Sequence, residues 1–508
     1  MWTRFTFEDI RIIAHYLGTL TSLFTVALLI PLITALVFQE WEPATRYFLA
    51  AGISLTIGSL LRMAKVDPGR LTRQQAMALT GFAWMFLAFI ASVPLAMSGH
   101  FASYLDALFD SVSGLTTTGA ALIMDLEHLS YADNMWRFIM HFLGGMGLIV
   151  IVIALSLGLL SSSTSGLYSS EGRSEHAVPN VITTTRLISK ISLAVIGIAT
   201  VLLMLFCFVA GMEPVRAFFH GLWISISGFM TAGFTPTSQS IMYYHSYFLE
   251  IACMLLMLLG MINFGLFVAV LRGKTDLFFK DFEIRTGFFW LVFMCIIFIA
   301  TLSTTPLFSD LLTMIRRGVF MLISASSTTG FSVVTTNQVL TVFSSGAILI
   351  LAILMAVGGS SGSTAGGMKL SRIGLTVKSI VSSIKEATSP DSARVSVVYH
   401  HIGKQVLNNE IARAAMTVST LFVVTYVVGA LVGIAHGYDA TASIAESVAM
   451  ASNGGLSFGI TTQGMPKTLE LIYILEMWAG RLEFITLIAL VVKIVASLLP
   501  VRKPKRDR

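Results

Sequence analysis

The sequence predicts an all-α membrane protein of ten transmembrane helices, with an N-terminal helix pair ahead of four parallel repeats in pseudo-fourfold arrangement around a central path. Three observations carry this. The 508 residues are 55% hydrophobic and only 12% charged, with a mean hydropathy of +0.81, a balance that soluble globular chains of this length do not have. Several charge-free windows reach the length of about 20 residues that a helix needs to cross roughly 30 Å of hydrocarbon. One short element of small and hydroxyl residues leading to a glycine is written four times, always in the same phase relative to the apolar windows.

The N-terminal stretch MWTRFTFEDIRIIAHYLG mixes acids and bases ahead of the first apolar run, and no small-residue cleavage site comes closely after it. The first span is therefore expected to be retained, not removed as a signal peptide. Apolar spans lie near 13–38, 44–63, 74–98, 137–160, 187–212, 247–271, 286–304, 345–370, 411–435 and 470–499. Alternate connectors are basic: Arg62, Lys65, Arg70 and Arg73; Arg173, Arg186 and Lys190; Arg272, Lys274, Lys280 and Arg285; Lys369, Arg372, Lys378 and Lys385; then the tail RKPKRDR. The positive-inside rule places these connectors and both termini in the cytoplasm. Cys207, Cys253 and Cys295 sit inside apolar runs without disulfide or metal spacing, and are expected to act as small packing residues.

The other connectors hold LFDSVSGLTTTGA, LWISISGFMTAGF, FMLISASSTTGFS and ESVAMASNGGLSF, which align Gly119, Gly233, Gly330 and Gly455 at intervals of 97 to 125 residues. Each repeat contains a span, an outward re-entrant stretch and a second span, so every repeat starts on the same side. Parallel repeats are related by an axis along the membrane normal. A half helix of about 12 residues is too short to span, and non-helical backbone at membrane depth survives only where protein or a water-filled cavity satisfies it. Glycine and small neighbours let four segments approach the axis closely. Inward carbonyls, helped by threonine hydroxyls and the negative C-terminal ends of the half helices, can replace the hydration shell of a monovalent cation. The candidate filter is Thr117, Thr118, Gly119, Thr231, Ala232, Gly233, Thr328, Thr329, Gly330, Asn453, Gly454 and Gly455. A single copy would read equally as a tight helix contact or an outer turn; four aligned copies favour an ion path.

The four M1-P-M2 repeats resemble the Trk/Ktr/HKT superfamily of potassium and sodium transporters over nearly the whole chain. GGSSGSTAGGMK at 358–369 and MWAGRLEF at 477–484 are similar to the bacterial Trk integral-membrane subunit, and the extra N-terminal pair of spans fits the Trk-H type. The resemblance implies potassium uptake across the bacterial inner membrane, since glycine at all four positions goes with potassium in this superfamily and serine at the first with sodium. Potassium would then be bound at Thr118, Gly119, Ala232, Gly233, Thr329, Gly330, Gly454 and Gly455. A homodimer is implied too, with a separate cytoplasmic nucleotide-binding ring, for NAD or ATP/ADP, acting on the gate. Two departures stand out: Asn453 and Gly454 replace the Thr-Thr pair of repeats one and three, and Arg316 with Arg317 breaks the charge rule on the outer side.

Residues 345–357 would make about 20 Å of helix, after which Gly358, Gly359, Gly362, Gly366 and Gly367 weaken it. With Ser360, Ser363 and Thr364 they read as a flexible intramembrane loop at 358–367, the gate that the resemblance implies; a close glycine-mediated helix contact is the alternative. A nucleotide-binding P-loop is excluded, because Met368 separates Gly367 from Lys369 and an apolar span precedes the stretch. Arg481 lies well inside the last span, where an unpaired guanidinium costs roughly 2.5 kcal/mol or more. As the resemblance implies, Arg481 either bonds the 358–367 loop or sets a positive barrier beneath the filter; the alternative is a structural pair with Glu476 or Glu483. Glu470 near the outer mouth reads as a solvated charge or a cation attractor, and His141 and Asn263 as interhelical hydrogen-bonders.

The implied organisation is an N-terminal pair at 1–70, repeats at 71–165, 166–280, 281–400 and 401–500, and a basic tail at 501–508. No nucleophile, base and acid converge, so an enzyme is not expected; no cofactor is expected beyond potassium as substrate, and membrane lipid but no nucleic acid as a partner. The connectors 161–186 and 371–410 carry no dinucleotide fingerprint. A symporter coupled to protons or sodium, or the potassium-binding subunit of an ATP-driven pump, are the alternative functions.

Overall fold

The computed structural model describes residues 4–64, 72–123, 125–147, 181–302, 310–390, 396–401 and 403–498. Helices α1 (Phe7–Val37) and α2 (Trp41–Arg62) form an antiparallel pair. A capping box of Thr6 and Asp9 starts α1. The two backbones meet at Gly18 and Gly58: a Cβ on Gly18 would stand 2.7 Å from the Gly58 carbonyl, and one on Gly58 2.6 Å from Ser22 Oγ. Small residues permit such an approach where lipid offers helices no hydrophobic drive to associate. Arg46 of α2 fastens the pair to the rest of the chain, donating to both oxygens of Asp133 at 3.2 and 3.0 Å while Tyr47 donates to the same carboxylate at 2.8 Å.

A succession of long helix, short helix, glycine-bearing segment and second helix then occurs four times. In the first unit these are α3 (Arg73–Ala96), α4 (Tyr104–Leu115) and α5 (Tyr131–Gly145). In the second they are α6 (Val181–Val209), α7 (Pro214–Phe229), α8 (Tyr247–Gly260) and α9 (Phe264–Leu271). Helix α10 (Thr275–Lys280) leads to the third, which contains α11 (Phe282–Leu302), α12 (Leu311–Ser326), α13 (Thr336–Val342) and α14 (Ser345–Val357). Helix α15 (Leu370–Thr388) precedes the strands β1 (Val398–His401) and β2 (Gly403–Val406), and α16 (Asn409–Ala435), α17 (Ala440–Ala451), α18 (Lys467–Arg481) and α19 (Ile485–Leu498) complete the fourth. The short helices begin at Ser103, Asp310 and Asp439, whose side-chain oxygens accept from first-turn amides, and at Pro214 in the N1 position.

Six described helices, α1, α2, α3, α6, α11 and α16, are long and apolar enough to cross a membrane. They fall on the expected spans at 13–38, 44–63, 74–98, 187–212, 286–304 and 411–435. The other four expected spans, each the second of its unit, are not continuous helices. Helix α5 stops at Gly145 ahead of Gly147 at φ +66°, α8 and α9 are bent 97° across three residues, α14 stops at Gly358 at φ +69°, and α18 is parted from α19 by Glu483 and Phe484 at φ +54° and +64°. Apolar composition marked these windows as helices, but it is blind to a left-handed residue in mid-window. Residues 148–160 of the window 137–160, most of the connector 161–186, and the tail 501–508 lie outside the described residues.

The expectation of an all-α chain also needs correction. Strands β1 and β2 pair antiparallel, with Val398 opposite Val406 and His401 opposite Gly403. Residues Val398–Tyr399 supply β-branched and aromatic side chains, and burial alternates along β1, which is how a half-buried strand reads.

Candidate functional site

Each short helix ends in the same hydrogen-bonded wrap. The amides of Thr118, Ala232, Thr329 and Gly454 donate to the carbonyls of Ser113, Ser227, Ser324 and Ala449 at 2.9, 2.9, 3.0 and 2.7 Å. The residue before each donates three residues back, to Gly114, Gly228, Ala325 and Met450, completing a Schellman motif. That motif needs a left-handed residue, and Thr117, Thr231, Thr328 and Asn453 occupy it at φ +58°, +49°, +55° and +54°. Three of the four are β-branched, for which this conformation is a strained outlier. Their hydroxyls are held by the preceding carbonyls: Thr117 on Thr116 at 2.7 Å, Thr231 on Met230 at 2.8 Å, Thr328 on Ser327 at 2.7 Å. Two residues further on Gly119, Gly233, Gly330 and Gly455 are left-handed again. Four helix C-termini, with their partial negative charge, thus lead into four segments of one backbone conformation.

The segments close on one another in chain order. A Cβ on Gly119 would collide with the carbonyl oxygen of Ala232, one on Gly233 with that of Thr329, one on Gly330 with that of Gly454 at 2.7 Å, and one on Gly455 with that of Thr118. All four glycines line one cavity of about 420 Å³, together with Arg137, Phe234, Thr235 and Thr461. Two acids that sequence reading passed over brace this side. Glu446, fully buried, accepts the Phe458 and Thr461 amides at 2.6 and 3.0 Å. Asp110 pairs with Arg137 at 3.5 Å, and the guanidinium lies 4.0 Å above the Phe234 ring. Both acids stand nine residues before their glycine within an apolar short helix, a signal that was available in the sequence.

On the opposite side of the four segments lies the glycine-rich stretch. The Gly366 amide donates to Thr328 Oγ1 at 2.7 Å and the Gly367 amide to the Ser452 carbonyl at 2.9 Å. Thr364 Oγ1 donates to the carbonyls of Gly260 and Phe229 at 2.8 and 3.1 Å and meets Thr231 Oγ1 at 3.1 Å. Gly358, Gly362 and Gly367 take left-handed φ, and a Cβ on Gly366 would strike the Ser452 carbonyl. Gly359 packs on Met261, Ser360 donates its amide to the Met261 carbonyl at 3.0 Å, and Ser363 Oγ bonds the Ser360 carbonyl at 2.6 Å. Residues 358–367 are therefore a folded loop seated against the ends of the short helices.

Arg481, from the fourth unit, ties the first unit to this loop. Nη1 donates to Thr117 Oγ1 at 3.1 Å and to the Thr364 carbonyl at 3.3 Å, and Nη2 donates to the Gly144 carbonyl. Glu483 pairs with Arg372, and Glu476 accepts from Ser447 Oγ at 2.8 Å. Arg481 lines a small cavity with Lys369, Gly362, Ser363, Gly366 and Asn453. Lys369, which sequence reading counted only as a connector charge, is buried there with Nζ on the Ala365 carbonyl.

Other expected residues lie elsewhere. Glu470 is not solvated: it is buried beneath Lys467, which bridges it at 2.9 Å and also pairs with Asp106. His141 packs as a ring, stacked on Phe234 at 4.3 Å between centroids. Asn263 accepts the Gly265 amide at 2.6 Å and so starts α9. Arg316 pairs with the buried Glu250 and lies 3.5 Å over the Tyr247 ring, which accounts for a charge on the side opposite the loop.

Residues 44–498 match the family model of TrkH, described as a cation transport protein. The chain is 30% identical to an uncharacterized cation transporter of Methanocaldococcus jannaschii, with 96% of each chain covered. It is also 30% identical to the Trk system potassium uptake protein TrkH of Halomonas elongata, over 95% of this chain and 98% of that one. The crystal structure of the potassium transporter TrkH from Vibrio parahaemolyticus superposes with a TM-score of 0.80 at 24% identity, covering 96% of this chain and 99% of that one, and shares its fold.

Proposed function

The chain belongs to the TrkH family of cation transport proteins, a family of transporters and not of enzymes, and from that premise we propose that it takes up potassium through a filter formed by the four glycine-bearing segments. The observation that carries the reading is the closed ring of contacts, in which each of Gly119, Gly233, Gly330 and Gly455 faces the backbone carbonyl of the next unit. Four parallel M1-P-M2 repeats about one axis, with ten crossings in all, account for such a ring. The carbonyls of Thr118, Ala232, Thr329 and Gly454, with those of the glycines, replace the hydration water of a dehydrated ion, and the converging helix C-termini favour positive charge there. Relatives named as Trk system potassium uptake proteins support potassium as the ion.

The loop 358–367 is the gate. It lies directly beneath the ring, is bonded to residues of units two, three and four, and is held by Arg481, whose charge together with that of Lys369 opposes a cation leaving the filter. A Trk system implies a cytoplasmic regulatory subunit; we assign the homodimer, a nucleotide-binding ring and a plasma-membrane location with both termini cytoplasmic to this same reading. The test is labelled-potassium uptake into proteoliposomes holding only this chain, under a potassium gradient with sodium and pH equal on both sides. Uptake that sodium barely competes with supports the filter. Uptake that appears only with a proton or sodium gradient overturns passive permeation in favour of symport.

A further inference from the structure

At the foot of α11 three side chains with metal-binding chemistry converge from segments far apart in sequence. Asp281 and Glu283 flank the start of the helix, and His401 reaches them from β1; all three are buried, at 1, 0 and 5% exposure. One oxygen from each carboxylate and one ring nitrogen lie within 4.8 Å of one another. Asp281 Oδ2 stands 3.0 Å from His401 Nδ1, and Glu283 Oε2 stands 3.9 Å from Nε2. Phe282, Leu375, Tyr399 and Ala415 form a buried apolar cluster, and the Phe282 ring lies 6.4 Å from the His401 ring between centroids. Lys378 Nζ is near, 5.6 Å above the Phe282 ring.

Buried charge is stabilised by pairing or by a metal, and His401 already pairs with Asp281 at 3.0 Å; a dication shared by both carboxylates and the imidazole would add to that pairing. The outer oxygens are already engaged as an outer coordination shell requires: Asp281 Oδ1 accepts the Glu283 amide at 2.8 Å, and Glu283 Oε1 accepts the Ser361 amide at 2.9 Å. Metal bonds of about 2.1 Å in tetrahedral geometry put ligand atoms about 3.4 Å apart, so on an ion the widest pair would close by at most about 1.4 Å while Asp281 Oδ2 and His401 Nδ1 would open by about 0.4 Å. One imidazole with two carboxylates suits zinc and its first-row neighbours better than calcium or magnesium, which take oxygen ligands.

We propose that Asp281, Glu283 and His401 bind a divalent first-row transition-metal ion of the zinc type, and that the ion locks the β1–β2 hairpin to residues 358–367 through Glu283 and Ser361. The test uses full-length protein in lipid nanodiscs, stripped with chelator and titrated with zinc by equilibrium dialysis. One ion per chain is expected, with cobalt in its place giving a ligand-field absorption band. His401→Gln and Glu283→Gln should each weaken binding by more than about 100-fold, beyond what loss of an outer-shell partner does, while His400→Gln, exposed on the same hairpin, should leave it unchanged. Zinc should also slow amide exchange at 396–401, 403–406 and Ser361 in the wild type, a readout that stands even where a variant fails to fold. Absence of stoichiometric binding, unchanged affinity in both glutamine variants, or zinc-induced protection confined to other segments would overturn the assignment. None of these readouts depends on potassium flux, so the site stands or falls separately from the transport reading.

Discussion

Gly330→Ser tests the filter most cleanly, because its consequences separate into two parts of known size. The first is conformational: Gly330 sits at φ +85°, and an L-residue there costs about 1–2 kcal/mol. The second is a collision, since the new Cβ would lie 2.7 Å from the Gly454 carbonyl oxygen and 3.0 Å from the Gly455 carbonyl carbon. Restoring an ordinary contact of 3.4 Å moves that carbonyl by about 0.7 Å, against interiors packed too densely to absorb it elsewhere. Gly464→Ser is the matched control: it has φ +93° and nothing within 4 Å, so it carries the strain without the collision. A carbonyl ring distorted by that amount should lose at least a factor of ten in potassium over sodium preference, which is about 1.4 kcal/mol. The assay is rubidium-86 uptake into proteoliposomes against rising external sodium, with both variants checked for monodispersity. A wild-type sodium competition curve for Gly330→Ser, or equal losses in the two variants, would refute the assignment of these glycines to the filter.

The same contacts set further outcomes. Deleting 360–366 should raise basal flux in the isolated chain, and an unchanged or lower rate in a folded variant would count against a gate. Arg481→Gln removes the charged donor shared by Thr364, Thr117 and Gly144, so leak should rise; Arg481→Lys should not restore the wild type, since one ammonium cannot reproduce the planar fork. Asp133→Asn takes the buried carboxylate from Arg46 and leaves it, as an acidic partner, only the exposed Glu42 at 3.4 Å, a loss of up to about 3–5 kcal/mol, and thermal unfolding in detergent should shift down; an unchanged midpoint would mean that the N-terminal pair is held by helix packing alone. Glu446→Gln turns an amide donor toward the Phe458 or Thr461 amide, leaving a buried donor unmade at about 1–3 kcal/mol, and it too should lower the midpoint without changing selectivity in the molecules that remain folded.

The repeated glycines were legible because one chemical need, close approach of four backbones, was written four times; Gly119, Gly233, Gly330 and Gly455 lie together as their alignment required. Asn453 looked like a weak match to Thr117 and Thr328, yet it holds the same left-handed position, one that asparagine enters at low cost. The breaks in the second helices were harder to read. Only the third was visible, through five glycines within ten residues, whereas α18 ends at a Glu-Phe pair that carries no local signal for positive φ. Glu470 was misread as solvated because a charge near a helix end usually is; its burial depends on Lys467 and Asp106 meeting across two units, a tertiary fact with no sequence trace. The hairpin at 398–406 lay in a basic connector where charge distracted from a short alternating run.

Three of the four second helices end against the filter in one way: Gly144, Gly260 and Gly480 lie so close to the carbonyls of Leu115, Phe229 and Ala451 that a Cβ at any of them would collide. These are the last residues of α4, α7 and α17, so the second helices buttress the short ones at points where a side chain would push the glycine-bearing segments apart. In the third unit α14 leads instead into the glycine-rich loop, whose Gly366 presses on the Ser452 carbonyl of the next unit. The third unit thus departs from the others locally, under the ring, at the place where the proposed gate would block the path. If the loop withdraws, Arg481 loses the Thr364 carbonyl but keeps Thr117 and Gly144. On the proposed gating, opening would therefore not strand a buried guanidinium, and its cost would stay below that of breaking a buried ion pair.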